Sequence, residues 1–213
     1  MPAHFKVDTG MARLYNLLGQ DFLYPNSNGN LTFLDNHDLT RFYLSVGRDT
    51  KKLKMALAFL LTTRGIPQLY YGTELLMDGD GSNHSEVRKD FPGGWANDSI
   101  NAFSKEGRTA EQNDVYDFMK KLLNWRKNEK VIHSGKLTHY IPEDNVYVYF
   151  RTSESKTVMV VMNANKSAKS LNAERFNENL KSFKEGKDVM SGKTQELAHL
   201  SIPSQTTLIL ELE

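Results

Sequence analysis

The stretch LTFLDNHDLTRF (31–42) packs the most chemistry into the fewest residues. A short apolar run opens directly onto Asp35, Asn36, His37 and Asp38, with Arg41 just beyond. In parallel α/β architectures ligand groups gather at the carboxyl ends of strands, so polar residues at such a point read as site residues. An equally weighted reading has Asp38 capping the next helix and His37 filling the turn, because Asx residues after strands also serve turns. A second stretch, RGIPQLYYGTELLM (64–77), repeats the pattern with Gly72, Thr73 and Glu74 after a short apolar run. Taken alone, it reads better as a turn glycine followed by a solvated glutamate.

The elements that must position these residues follow from periodicity. Met11, Leu14, Tyr15, Leu18 and Phe22 fall on one helical stripe, which predicts a helix over 9–24 with Asp8 or Thr9 as N-cap. Leu31–Leu34 and Gln68–Tyr71 read as short buried strands on either side of a mostly apolar helix over Lys51–Thr63, which Gly65-Ile66-Pro67 breaks. Residues 75–108 carry no sustained period and form a long loop, a class of segment that usually serves function. Thr109 to Gln112 has the form of a capping box, and Val115, Phe118, Met119 and Leu122 continue on one helical face to about Asn128. From His133 the period shifts to two, predicting strands at Lys136–Ile141, Val146–Thr152, Thr157–Asn163 and Thr206–Leu212, with PEDN and SESK as turns. The order predicts an α/β piece followed by a small antiparallel β-sandwich, divided near residue 132.

Composition bounds the function. With 213 residues, 27 basic and 26 acidic side chains and a net charge of +1, no basic stripe recruits phosphate backbones, and nucleic acid is not an expected partner. No apolar run is long enough for a bilayer, and the first residues lack the pattern of a signal peptide, so no membrane partner is expected. The absence of cysteine removes disulfides, thiolate metal sites and a thiol nucleophile, and leaves the compartment open.

Asn36-His37-Asp38 after one strand, with Gly65-Ile-Pro-Gln-Leu-Tyr70-Tyr71-Gly72-Thr73-Glu74 some thirty residues later, resembles two motifs of the α-amylase family of glycoside hydrolases, those of its seventh and eighth barrel strands. Arg88-Lys89-Asp90-Phe91-Pro92-Gly93-Gly94-Trp95, followed by Asp98 and Asn101-Ala102-Phe103, is similar to the neopullulanase and cyclomaltodextrinase branch, including starch-utilisation enzymes of Bacteroides type. The resemblance implies a (β/α)8 barrel with a C-terminal β-sandwich, and cleavage of α-1,4-glucosidic bonds of starch-type glucans or cyclodextrins with retention. It makes Asp38 the carboxylate that stabilises the transition state, through contacts to sugar hydroxyls that tighten as positive charge develops. His37, Asn36, Arg41 and Trp95 are then substrate-binding residues. Trp95 offers a ring for a pyranose face, or else folds back as an ordinary loop aromatic.

A barrel of this type needs about 250 residues, whereas about 132 precede the β-domain here. The expectation is therefore the C-terminal part of the barrel (1–132, strands seven and eight with flanking helices) joined to the sandwich (133–213). Neither the nucleophile's motif nor that of the acid/base is found before residue 31, so the chain alone is expected to be inactive. A non-catalytic carbohydrate-binding or truncated module is the alternative. No cofactor is expected. Asp78, Asp80 and Ser82 alternate as in a calcium loop, but the twelfth position is Lys89, so calcium, which the resemblance allows in a parent enzyme, gains no support here. Removing most of a barrel uncovers a sheet edge, which predicts self-association through it.

Overall fold

The computed structural model describes residues 10–213. In chain order it contains α1 (Met11–Gly19), β1 (Leu31–Thr32), α2 (Phe42–Ser45), α3 (Thr50–Thr62), β2 (Ile66–Pro67), α4 (His84–Val87), α5 (Ala110–Asn128) and α6 (Lys130–Ser134). There follow β3 (Lys136–His139), β4 (Val146–Thr152), β5 (Thr157–Asn163), β6 (Lys169–Ser170), α7 (Asn177–Leu180), β7 (Glu185–Asp188), β8 (Thr194–Glu196), β9 (Ser201–Ile202) and β10 (Thr206–Leu212). The chain divides into two compact units. One comprises residues up to Asn30, Thr62–Ile66 and Trp125–Glu213; the other comprises Leu31–Leu61 and Pro67–Asn124.

In the second unit, Leu53 and Leu57 of α3 and Val115 and Met119 of α5 form the buried centre, with Leu34, Phe42, Tyr43, Leu69 and Phe118 packed around it. The capping box is formed: Thr109 N–H donates to Gln112 Oε1 at 2.9 Å, and Gln112 N–H donates to Thr109 Oγ1 at 3.2 Å. Strands β1 and β2 pair with each other. Ile66 N–H donates to Asn30 O, and Gln68 N–H to Thr32 O, both at 2.8 Å. Both bonds advance in the same direction, the slanted pattern of a parallel pair, and the α3 crossover makes a strand–helix–strand unit.

Both strands are shorter than predicted, and the second starts earlier. The ladder ends at Gln68, after which Leu69–Tyr71 lead into Gly72 in the left-handed region at φ 79°. Phe33 and Leu34 thus lose their backbone partners, and Leu31 and Phe33 are exposed rather than buried. The first helix also stops short. It covers Met11–Gly19 with Gly10 as N-cap, and Phe22 lies on a separate turn, exposed. Asp8 and Thr9 lie outside the described residues.

In the first unit the six-stranded sheet runs β3-β4-β5-β10-β7-β8, antiparallel throughout, and a two-stranded ribbon β6-β9 accompanies it. Rows of opposed side chains run across the sheet: Phe150, Met159 and Leu210 form one, and Val148, Val161 and Leu208 the next. These rows face Phe176, Leu180, Leu197, Leu200 and Ile202, which supply the second layer of the small sandwich. Each such fully buried apolar side chain contributes about 1.5–3 kcal/mol. Strand β5 is buried along its whole length, as a central strand covered on both faces should be. The turn before β4 places Asp144 and Asn145 at φ 48° and 54°, the two left-handed residues of a tight hairpin whose twist matches the strands.

Candidate functional site

The site is built on the chain leaving β1. Asp35 is 4% exposed and its Oδ2 accepts from Phe42 N–H at 2.8 Å, so Asp35 caps α2. Asn36 Oδ1 accepts from Asp38 N–H at 2.9 Å and Leu39 N–H at 3.2 Å, forming the Asx turn. The capping and turn duties therefore fall to Asp35 and Asn36, which leaves the Asp38 carboxylate free of backbone. Burial raises the Asp35 pKa, and the Phe42 amide and the Arg41 charge oppose that rise.

Asp38 and His37 both stand at the surface, with side chains 55% and 61% exposed. His37 Nε2 lies 3.2 Å from Asp38 Oδ2. Arg88 donates from Nη2 to Asp38 Oδ1 at 2.9 Å and from Nε to the His37 carbonyl at 3.0 Å. His84 Nδ1 sits 3.3 Å from Arg88 Nη2 and 3.9 Å from Asp38 Oδ1. A carboxylate oriented by a guanidinium and an imidazole, and open to solvent, can accept hydrogen bonds from a hydroxylated ligand. Arg88 and His84 were not expected as partners of Asp38. Some fifty residues separate them in sequence, and nothing local signals the contact, although Arg88 opens the loop motif quoted above.

Arg41 is 1% exposed and turned away from solvent. Its guanidinium carbon lies 4.2 Å from the Tyr70 ring centre, Nη2 donates to the Tyr71 carbonyl, and Nε is 3.9 Å from Asp35 Oδ2. Gly72 is obligatory beside it, since a Cβ there would stand 2.2 Å from Met77 Sδ and 3.0 Å from Arg41 Nη2. The long loop is sewn back onto this stretch. Arg41 N–H donates to Gly79 O at 2.9 Å, Gly81 N–H to Thr40 Oγ1 at 3.0 Å, and Tyr71 Oη to Lys89 O at 2.6 Å.

Trp95 is 66% exposed. Asp98 Oδ2 accepts from the amides of Gly93 (2.7 Å) and Trp95 (3.1 Å), which fixes the local backbone. Among the described residues no hydrogen bond or ring contact joins Trp95 to the Asp38 cluster. Asp78 pairs with Arg48 at 2.5 Å and Asp80 accepts from Ser82 N–H at 2.9 Å, so both carboxylates of the Asp-Gly-Asp run are engaged by donors. No group of three or more His, Asp or Glu able to hold a metal occurs among the described residues.

A parallel strand–helix–strand unit with polar residues after its first strand, followed by an antiparallel sandwich, defines an α/β-barrel portion joined to a β-domain. The α-amylase catalytic-domain family matches residues 5–99, and the cyclo-malto-dextrinase C-terminal domain family matches 137–211. A cyclomaltodextrin glucanotransferase of Geobacillus stearothermophilus is 33% identical over 145 residues, 68% of this chain and 18% of that protein. An α-amylase of Niallia circulans is 33% identical over 142 residues, 67% of this chain and 24% of that one. Among solved structures, an Anoxybacillus α-amylase superposes with a TM-score of 0.76 at 24% identity, covering 96% of this chain and 43% of that one. The α-amylase of Geobacillus thermoleovorans in complex with acarbose does so at 0.74 and 23%, covering 97% and 44%. This chain belongs to the α-amylase family and spans about a fifth of the length of the curated relatives it matches.

Proposed function

We propose that the chain serves an α-amylase-family enzyme that cleaves α-1,4-glucosidic bonds of starch-type glucans or cyclodextrins with retention. Residues 1–132 contribute the last strands and helices of the barrel, and residues 133–213 the C-terminal sandwich. Asp38 stabilises the transition state by accepting hydrogen bonds from sugar hydroxyls, and His37 binds the same sugar. Asn36 holds the turn that presents both, Arg41 acts from beneath through Tyr70 and Tyr71, and Trp95 supplies a stacking surface. The observation that carries this reading is the Asp38 carboxylate, released from capping by Asp35 and Asn36 and exposed beside His37 and Arg88. The acarbose complex of the Geobacillus thermoleovorans relative supports an oligosaccharide as the ligand.

Retaining cleavage needs a nucleophile and an acid/base about 5 Å apart. Neither motif is found before residue 31, where the family's order of strands would put them, so on this reading the chain alone hydrolyses no starch. Substituting it for the matching segment of the Niallia circulans α-amylase tests the reading. A folded chimera that hydrolyses starch supports it; a folded chimera with no starch or cyclodextrin activity, or turnover by the chain alone, contradicts it.

A further inference from the structure

Strand β8 is the outermost of the six-stranded sheet, and the chain leaves it through a turn at Leu197–His199. Between this turn and the segment running from Ala173 through α7 to Lys184 lies an open groove of about 580 Å³. That volume falls within the range of small-molecule sites, about 300–1,000 Å³. The backbone pins its walls: Leu197 N–H donates to Lys184 O at 2.9 Å, Lys181 N–H to Asn177 O at 2.9 Å, and Phe183 N–H to Leu180 O at 2.8 Å.

The floor of the groove is apolar. Leu180 and Leu197 are buried members of the sandwich core, and Phe183 packs against that core while the rest of its ring lines the groove. The rim carries Glu174, Glu185 and Glu196 together with Lys181 and Lys184, all exposed. Among the described residues none of these five side chains makes a hydrogen bond or ion pair, although both signs line one groove. Elsewhere in the same domain side chains of opposite sign do pair, as Lys156 does with Glu129 and Lys169 with Asp144. The groove therefore keeps both donors and acceptors unspent above an apolar floor.

Three carboxylates disfavour an anion there, and two ammonium groups disfavour a cation. An apolar peptide would strip water from the rim without replacing its hydrogen bonds. A neutral polyhydroxylated ligand meets both demands. Its hydroxyls donate to carboxylates and accept from ammonium groups, and the C–H face of a pyranose covers the Phe183 ring and the two leucines. We propose that this groove is a carbohydrate site on the β-domain, which holds an α-glucan chain without taking part in bond cleavage. It shares no residue with the Asp38 cluster. The choice of a neutral saccharide comes from the groove itself; the choice of an α-glucan rests on the function proposed above.

Two-dimensional amide NMR of the 213-residue chain, titrated with maltoheptaose, tests this. Saturable shifts are expected at the amides of Lys181, Phe183, Lys184 and Ala198, and Asp38→Asn should leave them unchanged. Phe183→Leu, which keeps the floor apolar but removes the ring, and Glu196→Ala, at an exposed position, should each raise the half-saturating concentration about fivefold or more. No saturable shift at these amides in millimolar maltoheptaose overturns the proposal, as does unchanged half-saturation in both variants with native circular dichroism. Shifts produced there by sodium sulfate but not by maltoheptaose identify an anion site at the two lysines and also overturn it. Starch hydrolysis by the chimera reports on the proposed function separately. An active chimera with a silent groove sinks this inference alone, whereas an inactive chimera with groove shifts sinks only that function and leaves the carbohydrate site standing.

Discussion

Replacing Asp35 separates two duties that one buried carboxylate performs. Its Oδ2 accepts from Phe42 N–H at 2.8 Å and lies 3.9 Å from Nε of Arg41, which is itself buried and has an unpartnered Nη1. Asp35→Ala orphans the amide, which costs about 1–3 kcal/mol, and leaves Arg41 without its carboxylate. Breaking a buried pair from one side costs about 3–5 kcal/mol in all. Asp35→Asn keeps a neutral acceptor for the amide and removes only the charge. Because burial already disfavours the ionised carboxylate, that change should cost about 1–2 kcal/mol, the scale of one charge-assisted hydrogen bond. Urea unfolding followed by circular dichroism gives the ranking, and hydrogen exchange at the Phe42 amide shows whether the loss is local. Asp35→Ala within about 0.5 kcal/mol of the parent, the range of ordinary surface substitutions, would contradict both the capping and the pairing role of Asp35. So would an alanine variant no worse than the asparagine one.

Thr109→Ala should cost about 1 kcal/mol and speed exchange in the first turn of α5, read by urea unfolding and hydrogen exchange; no change would mean the reciprocal bonds are idle. His139 stacks on Tyr15 at 4.7 Å and bonds Tyr147 Oη at 2.9 Å, and burial holds its pKa below the ordinary 6.5. The unfolded chain therefore binds the proton first. Stability from this group is complete above pH 6.5 and falls as pH drops towards the lower folded value, a slope that His139→Gln should flatten in unfolding measured across that range. Leu31, Phe33 and Tyr71 are exposed near a two-stranded edge, so light scattering should report a mass above one monomer at high concentration, and a strict monomer would count against an uncovered edge. Limited proteolysis should release a stable fragment beginning near residue 133; cleavage within β4 or β5 would contradict the proposed domain boundary.

The long strands of the β-domain were legible because Val146–Thr152, Thr157–Asn163 and Thr206–Leu212 are dense in β-branched and aromatic residues, and the structure has them at those bounds. The capping box was legible because both partners lie within four residues. Strands β7 and β8, EGKD and TQE, were not, since they carry no apolar alternation and exist only because β10 offers an edge to β7 and β7 in turn offers one to β8. Gln68–Tyr71 looked like a strand by composition, yet pairing is decided by the partner, and β1 stops donating a ladder at Thr32. Within the candidate site, Asn36, His37 and Asp38 stood out as a motif, whereas the arrival of Arg88 from fifty residues away and the capping by Asp35 are products of folding.

On the proposed reading Asp38 carries transition-state stabilisation while contributing little to the fold. In the Niallia circulans chimera, Asp38→Asn should leave circular dichroism and the thermal midpoint unchanged and lower kcat for starch by at least a hundredfold, about the loss from removing one transition-state hydrogen-bonding group. A variant that keeps its kcat within a few-fold of the chimera, or that loses activity only because it unfolds, would contradict it.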